Sequence, residues 1–140
     1  MLKLKVFSVG KNKEAWMEQA LEEYVLRLKP VLDIDFIWVK NDAQLVALVQ
    51  KEKQVVCLDP DGEPLDSPEF SAFFHRNLQA GGSRLSMVIG GAEGLPEILK
   101  KGASLISLSR LTFTHQLARL ILIEQVYRAF EIAKGTAYHK

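Results

Sequence analysis

The chain has 140 residues, 48% of them hydrophobic and 25% charged, which excludes a disordered tract and fits one domain, 1–140, whose core needs neither disulfides nor metals. Its formal net charge of +1 excludes a whole-molecule field that would draw it onto nucleic acid or anionic lipid. Any RNA site is therefore a local patch, or is assembled from more than one chain.

Leu2, Leu4, Val6 and Val9 alternate with Lys3 and Lys5, the pattern of a strand ending at Gly10. From Glu14 to Leu28, Trp16, Ala20, Leu21, Tyr24 and Leu28 recur at helical spacing, and Pro30 closes the helix. Asp33 to Val39 is a second strand, and Asn41-Asp42 can cap a short helix to about Lys51. Gln54 to Leu58 is a third strand, which the turn residues Asp59, Pro60, Asp61 and Gly62 are expected to end. Ser67-Pro68 starts a helix to about Gln79 with Pro at its first position, and Gly81-Gly82 breaks it. Leu85 to Ile89 is an apolar strand ending on Gly90-Gly91. A helix around Pro96 to Lys101 and a strand around Ser104 to Leu108 lead into the last helix, His115 to Lys134. The alternation predicts an α/β fold, a mostly parallel sheet with helices on both faces.

The opening residues lack the apolar region of a signal peptide, and no apolar run approaches membrane-spanning length. The expected location is cytoplasmic, with no membrane partner. Cys57 lies in an apolar run with no cationic neighbour in sequence to activate it, so it is expected to be a buried structural thiol. The three His and one Cys show no metal-ligand spacing, and no metal is expected.

Two stretches carry functional signals. Val88 to Leu95 is a strand, a glycine turn and a helix start, with glycines at 90, 91 and 94. Ligands of open α/β sheets bind beyond the carboxyl ends of the strands. The spacing is neither the dinucleotide pattern nor a P-loop, so a ligand without phosphates is favoured over a phosphate cradle. A tight turn with no ligand would read the same way. The second stretch runs from Ser107 to Lys140. Thr112 or Thr114 can cap its helix, and Leu117, Ala118, Leu120, Ile121, Leu122 and Ile123 leave almost no polar face. Such a helix needs cover nearly all round, either within its own chain or from a second copy, and a homodimer is expected. Within it Glu124 and Arg128 are spaced for an ion pair, and Arg119 must find a partner or an anion. The chain ends in Tyr138, His139 and Lys140: a stacking ring, a base and a cation.

Ile89-Gly-Gly-Ala-Glu-Gly-Leu95, Leu108-Ser-Arg-Leu-Thr-Phe-Thr-His-Gln116, Leu122-Ile-Glu-Gln-Val-Tyr-Arg-Ala-Phe130 and the ending Ala137-Tyr-His-Lys140 closely resemble the RlmH (YbeA-type) family. Lys5-Val-Phe-Ser-Val-Gly-Lys11 and Glu22-Glu-Tyr-Val-Leu-Arg-Leu28 extend the likeness over the whole chain. The resemblance implies a SPOUT-class homodimer with a C-terminal trefoil knot, a rare exception to unknotted topology. It implies methyl transfer from S-adenosylmethionine to N3 of a pseudouridine in helix 69 of 23S rRNA (the 1915 site), within the assembled 70S ribosome or large subunit. Carried over by motif, the cofactor contacts would be Leu58, Gly90, Leu108, Ser109, Arg110, Leu111, Thr112 and Phe113. Two departures stand out. Thr114 replaces a proline of many relatives, and the region between Val39 and Gln54 is short.

For the chemistry itself, His139 is the first candidate to take the N3 proton, with His115 second. Tyr138 is placed to stack on the base, and Arg119 and Lys140 are candidates to hold a phosphate or the uracil anion. His75 reads as an ordinary surface residue. The competing readings are a flavodoxin-type phosphate module and a ribosome-binding factor without turnover.

Overall fold

The computed structural model describes residues 1–140, which form five strands and five helices in alternation. In chain order these are β1 (Leu2–Val9), α1 (Ala15–Leu28), β2 (Leu32–Val39), α2 (Asp42–Val49), β3 (Val55–Pro64), α3 (Ser67–Ala80), β4 (Arg84–Ile89), α4 (Glu97–Gly102), β5 (Ser104–Ser107) and α5 (His115–Lys134). All neighbouring strands pair in parallel, in the order β2-β1-β4-β3-β5. The α/β architecture with a parallel sheet forms as the alternation predicts.

Successive residues of a strand point to opposite faces of the sheet, and both faces are covered. Leu4, Val6, Val56, Leu58, Met87 and Ile89 join α1, α3 and α5 in one core of 20 buried residues. Phe7, Cys57 and Val88 meet α2 and α4 in a second core of 8. Burial from both sides is why Val55 to Leu58 of β3 and Leu85 to Ile89 of β4 read as largely apolar runs.

Two boundaries differ from expectation. The cluster Asp59 to Gly62 does not end β3; it makes an irregularity, with both Leu58 and Glu63 paired to Ile106 of β5. Gly62 allows this because a Cβ there would lie 2.6 Å from the Ile106 carbonyl carbon. Asp66, not Ser67-Pro68, caps α3, through a reciprocal capping box with Glu69 that puts Pro68 one position further in.

α5 lies between α1 and α3 on one face of the sheet. Arg119, Leu122, Ile123, Val126, Ala129 and Phe130 form its buried stripe. Ser67 and Ser71 of α3 donate to the Gln125 side chain and the Ala129 carbonyl, while Tyr24 of α1 packs on Tyr127. Thr114 caps the helix and Gly135, at φ +73°, turns the chain out of it. The chain's own sheet and helices thus cover most of the apolar surface. Leu117 remains 41% exposed, with Leu120 and Ile121 only half-buried. No helix is long and apolar enough to cross a membrane.

Candidate active site

A cavity of about 930 Å³ opens at the carboxyl ends of β4 and β5, against the irregular middle of β3. Its floor is Leu58 to Pro60; its walls are the turn after Ile89, the Ser107–Ala118 segment and the start of α1. No Lys or Arg lines it, and its only titratable side chains are Asp59 and His115.

The glycine turn is dictated first by its own backbone. A Cβ on Gly90 would sit 2.6 Å from the Gly94 carbonyl carbon and 2.8 Å from the Leu95 nitrogen. Gly94 adopts φ +85° and donates its N–H to the Gly91 carbonyl at 3.0 Å. Glycine at 90 and 94 is therefore required whether or not a ligand binds, and the resulting flat backbone forms one side of the cavity.

The opposite rim is shaped by its own hydroxyls. Ser107 Oγ donates to the Ser109 carbonyl at 2.8 Å, and Ser109 Oγ accepts from the Leu111 N–H at 2.9 Å. These bonds fold Ser107 to Thr114 into an open curve, with Leu111 left 72% exposed. Of the residues proposed from sequence, Leu58, Gly90, Leu108, Ser109, Leu111, Thr112 and Phe113 all line the cavity. Arg110 does not; it is exposed.

Sequence reading missed two contributors. Asp59, only 6% exposed, accepts from the Asp61 N–H at 3.0 Å and lies 3.5 Å from Lys100 Nζ. An acid directly after an apolar strand was its one sequence signal. Trp16 is 55% exposed on the first turn of α1, beside the cavity; helical periodicity alone placed it with the core. His115 lines the cavity, and burial, then Arg119 and Lys13, hold its imidazole below the usual value. Cys57 precedes Leu58 but faces the other core, and burial, then Asp59, pushes its thiol up to about 12. It is structural, as expected.

The remaining candidates lie elsewhere. Arg119 is wholly enclosed. It donates to Ser8 Oγ, Asn12 Oδ1 and the Val9 and Gly10 carbonyls at 2.8, 2.8, 2.7 and 3.3 Å, and lies 4.7 Å from the centre of the Trp38 ring. It has no path to a phosphate or a uracil anion, so that sequence expectation is corrected: its partners are internal. Tyr138 and His139 fold back on α5. The Tyr138 hydroxyl donates to Glu124 at 2.7 Å, and its ring lies between Tyr127 and the Arg128 guanidinium. Burial, then the Glu124 bond, pushes its phenol well above the usual range. His139 Nδ1 is 3.0 Å from Arg128 Nη1. Neither residue lines the cavity, whose α5 wall stops at Ala118. Lys140 is exposed. Glu124 and Arg128 make the expected ion pair at 2.9 Å. His75 is not a bare surface residue: its ring meets Phe74 and Phe130 edge-on and bonds the Ser71 carbonyl. No group of three or more His, Cys, Asp or Glu converges to hold a metal ion.

Comparison with known proteins gives a consistent result. A family model described as predicted SPOUT methyltransferase matches residues 2–139. A Protochlamydia amoebophila protein named ribosomal RNA large subunit methyltransferase H is 57% identical over 140 residues, covering all of both chains. A Geotalea daltonii protein of the same name is 38% identical, covering 99% of each, over an alignment of 152 positions. That relative therefore carries residues this chain lacks. Among solved structures, a Legionella pneumophila chain assigned as a methyltransferase, in complex with bound SAM, superposes with a TM-score of 0.52 at 11% identity. It covers 92% of this chain and 66% of its own, a likeness of fold.

Proposed function

Because the chain belongs to the SPOUT methyltransferase family, and within it to the RlmH group, we propose that it methylates large-subunit ribosomal RNA with S-adenosylmethionine as donor. The finer assignment is N3 of a pseudouridine in helix 69 of 23S rRNA, on the large subunit or the 70S ribosome in the cytoplasm. One domain, 1–140, carries the activity. The same reading takes the C-terminal part to be threaded as a trefoil knot, and the protein to act as a homodimer.

The observation that carries the donor assignment is the chemistry of the cavity. It has the size of a cofactor pocket, and it offers no cation to a phosphate. It presents apolar side chains and the backbone of the rim and glycine turn, with Asp59, paired to Lys100, at its floor. Those groups fit an adenosine bearing a sulfonium and an amino-acid tail, and they fit a nucleotide poorly. Leu58, Gly90 and Leu108 to Phe113, without Arg110, would hold it. S-adenosylmethionine supplies an electrophilic methyl group on a positively charged sulfur.

The chain's own part is positioning and proton removal. Leu108, Leu111 and Phe113 exclude water from the methyl group. Tyr138 stacks on the target base, which must leave its helix to be reached. His139 would take the N3 proton, leaving N3 an electron pair for the methyl group that S-adenosylmethionine would supply. Lys140 holds a phosphate of the RNA; Arg119 is withdrawn from that role. The tail packs on Glu124, Tyr127 and Arg128 and does not line its own chain's cavity, while Leu120 and Ile121 of the same helix are only half-buried. This supports a site in which the tail of one chain serves the cavity of the other. Calorimetric titration with S-adenosylmethionine, followed by methyl incorporation into ribosomes, tests the reading. Binding with incorporation at a pseudouridine N3 is expected. Binding without incorporation leaves a ribosome-associated factor instead, and no binding refutes the donor assignment.

A further inference from the structure

We propose that Arg119 is a positioning residue, a buried clamp that ties three walls of the cavity together and sets its width. This rests on the cavity being the cofactor site.

Arg119 follows His115, Gln116, Leu117 and Ala118, the α5 residues that line the cavity. Its guanidinium leaves that wall and reaches the end of β1, where it bonds Ser8, Val9, Gly10 and Asn12. Those residues begin the connection to α1, whose Trp16 and Met17 form a second wall. Val9, held through its carbonyl, turns its side chain to Gly91, where a Cβ would come within 3.4 Å of it. That contact reaches the third wall, the glycine turn. Gly10 adopts φ +81°, a conformation that lets successive carbonyls face one arginine.

No carboxylate pairs with Arg119. Its charge is met by dipoles and by the face of Trp38, an environment a planar fork satisfies and a point ammonium does not. All four hydrogen-bond partners here lie at the carboxyl end of β1 or just beyond it, next to β4, whose glycine turn borders the cavity.

Arg119→Lys and the milder Asn12→Ala test this by two readouts. The first, amide hydrogen exchange of the protein without cofactor, judges the clamp independently of any ligand. Exchange is expected to speed at least about tenfold from Gly10 to Met17 and from Gly91 to Gly94, with α3 unchanged. The second is titration with S-adenosylmethionine. Affinity is expected to fall about tenfold in Arg119→Lys and about threefold in Asn12→Ala, and the double variant is expected to be no weaker than Arg119→Lys. The KM for ribosomes should stay within about twofold, a split that general destabilisation would not give. Unchanged exchange in both segments overturns the clamp, as does faster exchange with unaltered affinity. A parent protein that binds no S-adenosylmethionine overturns the donor assignment, while the exchange readout still decides whether Arg119 ties the walls together.

Discussion

The rim Ser107–Thr114 and the tail Thr136–Lys140 flank the same helix, and both are short, irregular and rich in hydroxyl or ring side chains. The rim folds on its own hydroxyls and presents backbone and apolar side chains to a cavity within its own chain. The tail spends its phenol on Glu124 and sets His139 beside Arg128, away from that cavity. The cavity is thus lined by residues of one chain, while Tyr138 and His139 are held apart from it. The two regions should therefore fail in different ways when changed.

Deleting Tyr138 to Lys140 should give the largest effect. Loss of a base and a stacking ring is expected to cost about 10²–10⁴-fold in methyl incorporation. Affinity for S-adenosylmethionine, measured by calorimetry, should stay within about threefold. Gly90→Val should act on the other region, weakening cofactor binding about 10–100-fold, the scale of an overpacked site. A clash with the Gly94 backbone predicts a lower melting temperature as well, so binding must be measured well below it. Glu124→Gln sharpens the contrast. It leaves the cavity intact, frees the tail and should lower turnover about tenfold with unchanged cofactor affinity. The Tyr138 phenol, followed by absorbance titration, should fall back toward the usual value of about 10.

The smallest effect concerns pH. His115 lines the cavity with its imidazole held below the usual 6.5, so protonation favours the unfolded chain. Its contribution is full above that value and is lost as pH falls through the lowered one. Denaturant melts between pH 7.5 and 5 should show a shallower loss for His115→Gln than for the parent. Equal slopes would remove His115 from the account of acid sensitivity.

The order and type of elements were legible in the sequence because their signals are local. Leu2 to Val9 alternates, Asn41 and Thr114 cap helices, and β3 and β4 carry the runs of strands buried on both faces. The Asp59 to Gly62 cluster misled, since its turn chemistry is used to kink a strand rather than end it, which depends on the distant β5. The resemblance brought together Leu58, Gly90 and the rim, and all of these except Arg110 meet at one cavity. Arg119 could not be read correctly because its partners are more than 100 residues away in sequence. A lone arginine in an apolar helix announces a partner without saying whether that partner is an anion or a set of carbonyls. Trp16 and Asp59 were missed for the same reason: periodicity and turn composition say nothing about which strand ends converge.

Cavity and tail are proposed to be separate parts brought together across two chains. Co-expressed chains of two kinds, one lacking Tyr138 to Lys140 and one carrying Gly90→Val, test it most directly by methyl incorporation into ribosomes. Each kind alone should be nearly inactive. Mixed dimers should regain activity, because one chain supplies an intact cavity and the other an intact tail. Mixed dimers that form and remain as inactive as either parent would contradict the account, and would mean that the tail serves its own chain's cavity.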